Sequence, residues 1–182
     1  MMRPFRYICI FITLLLCSCE MYFYENPQPL HSKALQTIPT ELIGIYKETG
    51  SDTLIITSDS YKYLSKDNKK EGSFKIGNMV LKKLDDYYIL SQMMVDSLGQ
   101  PYNQLWEVYA MKYKGNHLLV YNLNCSKDDC QLFADSVNRI VPYKNLLMDK
   151  DTLHIINPTK NQFRALLDKN LYKLVSEFER IK

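Results

Sequence analysis

Between Leu42 and Leu123 the chain is a succession of short runs rich in β-branched and aromatic residues, each closed by turn chemistry, a spacing that points to antiparallel strands. The predicted strands are Leu42 to Glu48, Thr53 to Thr57, Tyr61 to Ser65, Ser73 to Ile76, Met79 to Leu84, Tyr87 to Val95, Gln104 to Tyr113 and His117 to Leu123. Gly77-Asn78 and Gly115-Asn116 are two-residue hairpin signals, and longer loops fall at 49–52 and 96–101. The mixed-sign run from Lys66 to Glu71 reads as a solvated hairpin tip. Closely spaced antiparallel strands must protect their edges, and curling into a barrel does this most simply. The expected class is therefore mainly β, an antiparallel up-and-down barrel or half-barrel.

Several strands are apolar on both faces. Trp106, Val108 and Ala110 share one face of their strand while Leu105, Tyr109, Met111 and Tyr113 share the other, so a second layer must cover one of them. The C-terminal region supplies it. Asn157 as N-cap, Pro158 at the first helical position and the stripe Phe163, Leu166 and Leu167 predict a helix near 158–168, led into by a strand from Thr152 to Ile156. Residues 170–181 fit both a helical and an alternating period, and a closing strand is favoured over the last of them. The length suits one domain, 41–182, with a core that needs no disulfide support.

At the N-terminus, Arg3 and Arg6 precede an apolar run from Tyr7 to Leu16, and Glu20 ends that run short of the ~20 residues a membrane span requires. This is the layout of a cleaved export signal. Its end, Leu16-Cys17-Ser18-Cys19, resembles the processing motif of bacterial lipoproteins. The resemblance implies a signal peptide over 1–18, cleavage after Ser18, a diacylglyceryl thioether on Cys19 and acylation of the new amine. Leu16 is too large for the cleavage position, so Cys17 is not the lipidated residue. A single acyl chain binds a membrane marginally and two or more hold stably, at about 0.8 kcal/mol per buried methylene. The implied partner is a membrane of the bacterial cell envelope, and Glu20 in place of aspartate favours the outer one, with its periplasmic or surface face left open.

Residues 19–40 carry Pro27, Pro29 and Pro39 among polar spacers and read as a lipidated tether. Tyr22-Phe23-Tyr24 belongs either to the membrane interface or to the domain. Loss of Arg3 and Arg6 with the signal takes the basic residues from 23 to 21 against 20 acidic ones. That balance argues against a nucleic-acid partner, which needs clustered positive charge.

Of five cysteines, Cys9 and Cys17 leave with the signal and Cys19 takes the lipid, so Cys125 and Cys130 remain. In an exported chain this pair reads first as a disulfide. The rival reading is a metal clip with Asp128 and Asp129, which lacks the second Cys/His pair of a structural zinc site.

The segment Leu42-Ile43-Gly44-Ile45-Tyr46 resembles the opening strand of lipocalins and lipocalin-like bacterial domains, with Tyr46 where that family has tryptophan. The resemblance implies that Arg180, near the closing strand, packs on the Tyr46 ring by a cation–π contact. It also implies an interior able to hold a small apolar ligand. The candidate lining residues are Tyr46, Tyr61, Tyr63, Tyr88, Met94, Trp106, Tyr109 and Tyr121, though alternation does not say which face turns inward.

Catalytic motifs are missing from the sequence. There is no Gly-x-Ser-x-Gly elbow, phosphate-cradling loop or His-Glu-x-x-His pair, and no cofactor or metal is implied. His117 and His154 lie in predicted strands and His31 in the tether. Glu107, between apolar neighbours, is either an acid or base with a raised pKa or a surface partner for a lysine. Asp85-Asp86 reads as a turn. The expected function is non-catalytic binding of a small apolar molecule or peptide, with recruitment of another envelope protein as the alternative and an enzyme third.

Overall fold

A computed structural model describes residues 21–48, 52–65, 69–74, 77–95, 101–125, 130–148 and 151–182, without the side chains of 69, 70, 101–103, 148, 151 and 152. The expected signal over 1–18, Cys19, and Asp128 with Asp129 lie outside the described residues. The strands are β1 (Met21–Tyr24), β2 (Gly44–Glu48), β3 (Thr53–Ile56), β4 (Ser60–Leu64), β5 (Lys69–Ser73), β6 (Met79–Leu84), β7 (Tyr87–Val95), β8 (Pro101–Lys114) and β9 (His117–Leu123). Helix α1 (Cys130–Asn138), β10 (Tyr143–Met148), β11 (Asp151–Ile156), α2 (Lys160–Asp168) and β12 (Tyr172–Arg180) follow. The protein is mainly β, and its described strands form one mixed sheet.

Nine of them make an antiparallel arc in the order β6-β7-β8-β9-β12-β2-β3-β4-β5. Long β8 has edge to spare. Beyond β9 it meets β1 at Tyr24 and Trp106, and β1 pairs in parallel with β11, which carries β10.

Among the described residues the arc does not close, because β5 pairs with β4 and β6 with β7 but not with each other. Gly77-Asn78, expected as a hairpin turn, therefore joins strands that are not partners. Gly77 does take the left-handed conformation (φ 74°), and the Asn78 side chain accepts from the Ser73 backbone amide at 3.0 Å. Gly115 (φ 62°) makes the expected β8–β9 turn. Side chains bridge the open seam. Tyr61 Oη donates to Gln92 Oε1 at 2.9 Å, and a Cβ on Gly72 would lie 2.5 Å from both Gln92 Oε1 and the Tyr61 ring, so the two flanks touch.

Residues 21–40 are part of the folded domain, which corrects the tether reading from Met21 onward. Tyr22, Phe23 and Tyr24 are buried in the sheet. The segment after them is pinned along β6: buried Lys82 donates from Nζ to the carbonyls of Pro27 and Pro29 at 2.8 and 2.9 Å, and Leu35 N donates to Leu81 O at 2.8 Å. Ile38 N then donates to Ser58 O in the β3–β4 turn, so this segment fills part of the gap between β6 and the far flank. The prolines suppress helix and strand propagation without preventing such docking.

Both faces of β8 are buried, for different reasons. Trp106, Val108 and Ala110 pack under the helices with Phe133 and Val137 of α1 and Phe163 and Leu166 of α2. Met111 and, partly buried, Tyr109 and Tyr113 face the concave side with Tyr46, Leu54, Ile56 and Phe178, and Leu105 joins Phe23, Leu153 and Ile155 in a smaller cluster. Full burial of a side chain such as Phe163 or Leu166 stabilises by about 1.5–3 kcal/mol.

The boundaries differ from expectation in several places. Helix α2 begins after Thr159, not Asn157, because Thr159 and Gln162 form a reciprocal capping box. Residues 172–180 are a strand, since pairing with both β9 and β2 satisfies their backbone. Of the expected strand at 73–76, Ser73 is the last residue of β5 and 75–76 lie outside the described residues, while β8 starts at Pro101 within the expected loop. Neither α1 nor β10 was expected.

Candidate functional site

The concave face of the arc surrounds a partly open cavity of about 420 Å3. Alternation on the strands builds its floor: Leu54 and Ile56 of β3, Met79 and Leu81 of β6, Leu90 of β7 and Met111 of β8 point to one side. Phe178 from β12, Val120 and Leu123 of β9 and the N-terminal residues Tyr22, Phe23, Ile38 and Leu42 add to the apolar lining. Polar groups are Glu107, Tyr109, Asn122, Asn124 and Ser176. Met21 and Val175, 41% and 42% exposed, line the same cavity and mark its rim.

Of the lining tyrosines Tyr61, Tyr63 and Tyr109, the first donates to the Gln92 amide and the other two donate to carboxylates. Tyr109 Oη donates to Glu107 Oε2 at 2.9 Å, and burial followed by the Glu107 charge pushes its phenol well above the ordinary range. Tyr63 Oη donates to Asp52 Oδ2 at 2.5 Å, and this bond, ahead of burial, pushes the phenol up to about 12. Glu107 is thus a cavity carboxylate that accepts from a phenol.

At the other end the arc is plugged. The Arg180 guanidinium carbon lies 5.9 Å from the Tyr46 ring centroid, Arg180 donates to the Ile43 carbonyl, and Tyr46 Oη donates to Leu42 O at 2.9 Å. Gly44 is required there, because a Cβ would sit 2.7 Å from the Lys182 carbonyl and 2.8 Å from Arg180 Nε.

Of the aromatic and Met candidates, Tyr61, Tyr63 and Tyr109 line the cavity. Tyr46 and Tyr88 belong to the same core without lining it, Tyr88 donating instead to the Glu41 carboxylate. Trp106 and Tyr121 are on the helix-covered face, so they are not cavity residues, and Met94 packs with Phe23 and Leu105. Aromatic character alone does not distinguish the two faces of the sheet. Strand alternation around Tyr109 would have selected Met111 and Glu107 and rejected Trp106.

Neither domain histidine lines the cavity. His117 faces Glu177 at 3.1 Å on the surface, and His154 is buried between Tyr22 and Tyr143 with Nδ1 2.8 Å from Asn145 Oδ1. Asp85 takes a two-pronged contact from Arg164 (2.8 and 3.1 Å), which holds its carboxyl below the usual range. Cys125 and Cys130 are joined by a disulfide, with Cα atoms 5.3 Å apart, tying the end of β9 to the start of α1. Among the described residues no three His, Cys, Asp or Glu side chains gather into a metal site, and no helix is long and apolar enough to cross a membrane.

No family model, curated protein or solved structure matches this chain.

Proposed function

We propose that the chain is a lipid-anchored lipoprotein of the bacterial envelope whose domain is a lipocalin-like half-barrel that binds a small apolar molecule or peptide without catalysis. The observation that carries this reading is the cavity: at about 420 Å3 it falls within the roughly 300–1,000 Å3 of small-molecule sites. Aliphatic and aromatic side chains supply most of its wall, and a few polar groups on one part of it would orient a ligand. The plug of Tyr46 and Arg180 at the opposite end supports the half-barrel reading. The outer membrane is the favoured anchor site, from Glu20 after Cys19.

One observation favours recruitment of an envelope protein as the second reading. Among the described residues β10 pairs only with β11, and its Leu147 is exposed, which leaves a strand edge able to accept another chain.

Capture of the protein from its native envelope, beside Cys19→Ala, followed by mass spectrometry of co-purifying small molecules and proteins, separates these readings. A small molecule retained by both forms supports the binding domain. A stoichiometric protein without a small molecule supports recruitment and sinks the first reading.

A further inference from the structure

We propose that the mouth of the cavity is presented to the bilayer, so that its ligand is a membrane-dissolved apolar molecule or acyl chain that enters directly from the lipid. The proposal rests on the lipid-anchor and cavity-binding readings above and adds an orientation to them. Met21 lines the cavity and begins β1, where it bridges to Asn124 at the end of β9. Cys19 is two residues earlier, and two residues of extended chain span at most about 7 Å. With β1 held in the sheet between β8 and β11, an acylated Cys19 leaves no slack to turn the rim away from the membrane.

The rim itself has the chemistry for that neighbour. Val175, which stands at an irregularity in the β12–β9 register, lines the same cavity as Met21, and adjacent Leu174 is 50% exposed. Exposed aliphatic side chains around a cavity mouth gain free energy by entering lipid. The plugged end is different: Arg180 and Tyr46 seal it, and it lies at the other end of β12.

The test uses the full lipid-anchored protein in vesicles of brominated phosphatidylcholine, which quenches tryptophan on contact. Wild type, with Trp106 as its single tryptophan, sets the baseline. Val175→Trp is expected to be quenched strongly beyond that baseline and Ile181→Trp, beside the plug, hardly at all. Equal quenching of the two, or the reverse order, overturns the orientation. A third variant with about fifteen Gly/Ser residues inserted between Cys19 and Glu20 keeps the anchor but frees the rim, since such a linker is a flexible coil. It is expected to take a pyrene-labelled fatty amphiphile from the vesicles several-fold more slowly than wild type, and an unchanged rate overturns direct entry. Palmitate labelling of Cys19 and probe binding in solution by Cys19→Ala report separately on the two underlying readings. Absence of label from the wild type, or label that persists in Cys19→Ala, defeats the anchor and the orientation together. Absence of probe binding defeats the cavity reading and direct entry, whereas failure of the quenching order alone defeats only the orientation.

Discussion

The guanidinium of Arg180 lies over the ring of Tyr46, 5.9 Å from its centroid, joining β12 to its neighbour β2 in the arc. It donates to the Ile43 carbonyl as well, so one side chain ties the C-terminal strand to the opening segment of β2. Arg180→Ala is expected to lower the denaturant midpoint more than Arg180→Lys, which keeps a charge but loses the planar fork. Gly44→Ala should act in the same direction, because its Cβ has no room. Chemical denaturation of the three variants checks the order, and equal midpoints for Ala and Lys would contradict it.

Tyr24 and Tyr172 meet hydroxyl to hydroxyl at 2.5 Å in the core beneath α2. Both phenols are pushed up by burial. Replacing either with Phe leaves its partner buried without that bond and is expected to cost about 1–3 kcal/mol. The double Phe variant removes both polar groups, so its loss should be smaller than the sum of the singles. A double-mutant cycle by urea denaturation reads the coupling directly, and strict additivity would refute it.

Stability should fall in alkali. Tyr63 and Tyr88 are each pushed from 10.0 up to about 12, Tyr63 by its bond to Asp52 and Tyr88 by burial and then its bond to Glu41. A phenol with a raised folded pKa contributes stability that is complete below pH 10 and is lost as pH rises toward 12. Denaturation at pH 9 and pH 11 should show this drop, and the Tyr63→Phe/Tyr88→Phe variant should show a shallower one. An identical slope in both proteins would exclude these tyrosines as its source.

The Cys125–Cys130 disulfide closes a short loop. Cys125→Ser/Cys130→Ser is expected to cost about 2 kcal/mol on the loop-entropy account, without unfolding the domain. Thermal denaturation of this variant beside the oxidised parent measures the difference, and loss of cooperative unfolding would show a larger role.

Strands whose information is local were legible in the sequence. Met79–Leu84, Tyr87–Val95 and His117–Leu123 have the bounds that alternation and flanking turns predict. β1 was not, because three consecutive aromatics do not alternate and its register is set by Leu153 to Ile156, far along the chain. The short helix α1 was hidden too, since Phe133, Ala134 and Val137 cover barely one helical repeat and their burial depends on the sheet below. Alternation separated Trp106 from Tyr109 correctly but could not say which side was concave. That depended on where the helices dock.

Binding of an apolar ligand in the cavity is measured by a fluorescence titration of the purified protein with a lipophilic probe. Val120→Trp, which fills the cavity, is compared with Leu147→Trp on the exposed β10 edge. Saturable one-to-one binding by wild type and Leu147→Trp, lost or weakened at least tenfold in Val120→Trp while cooperative unfolding is kept, is the predicted result. Binding that is absent from wild type, or that Val120→Trp leaves unchanged, would show that the cavity is not an apolar-ligand site.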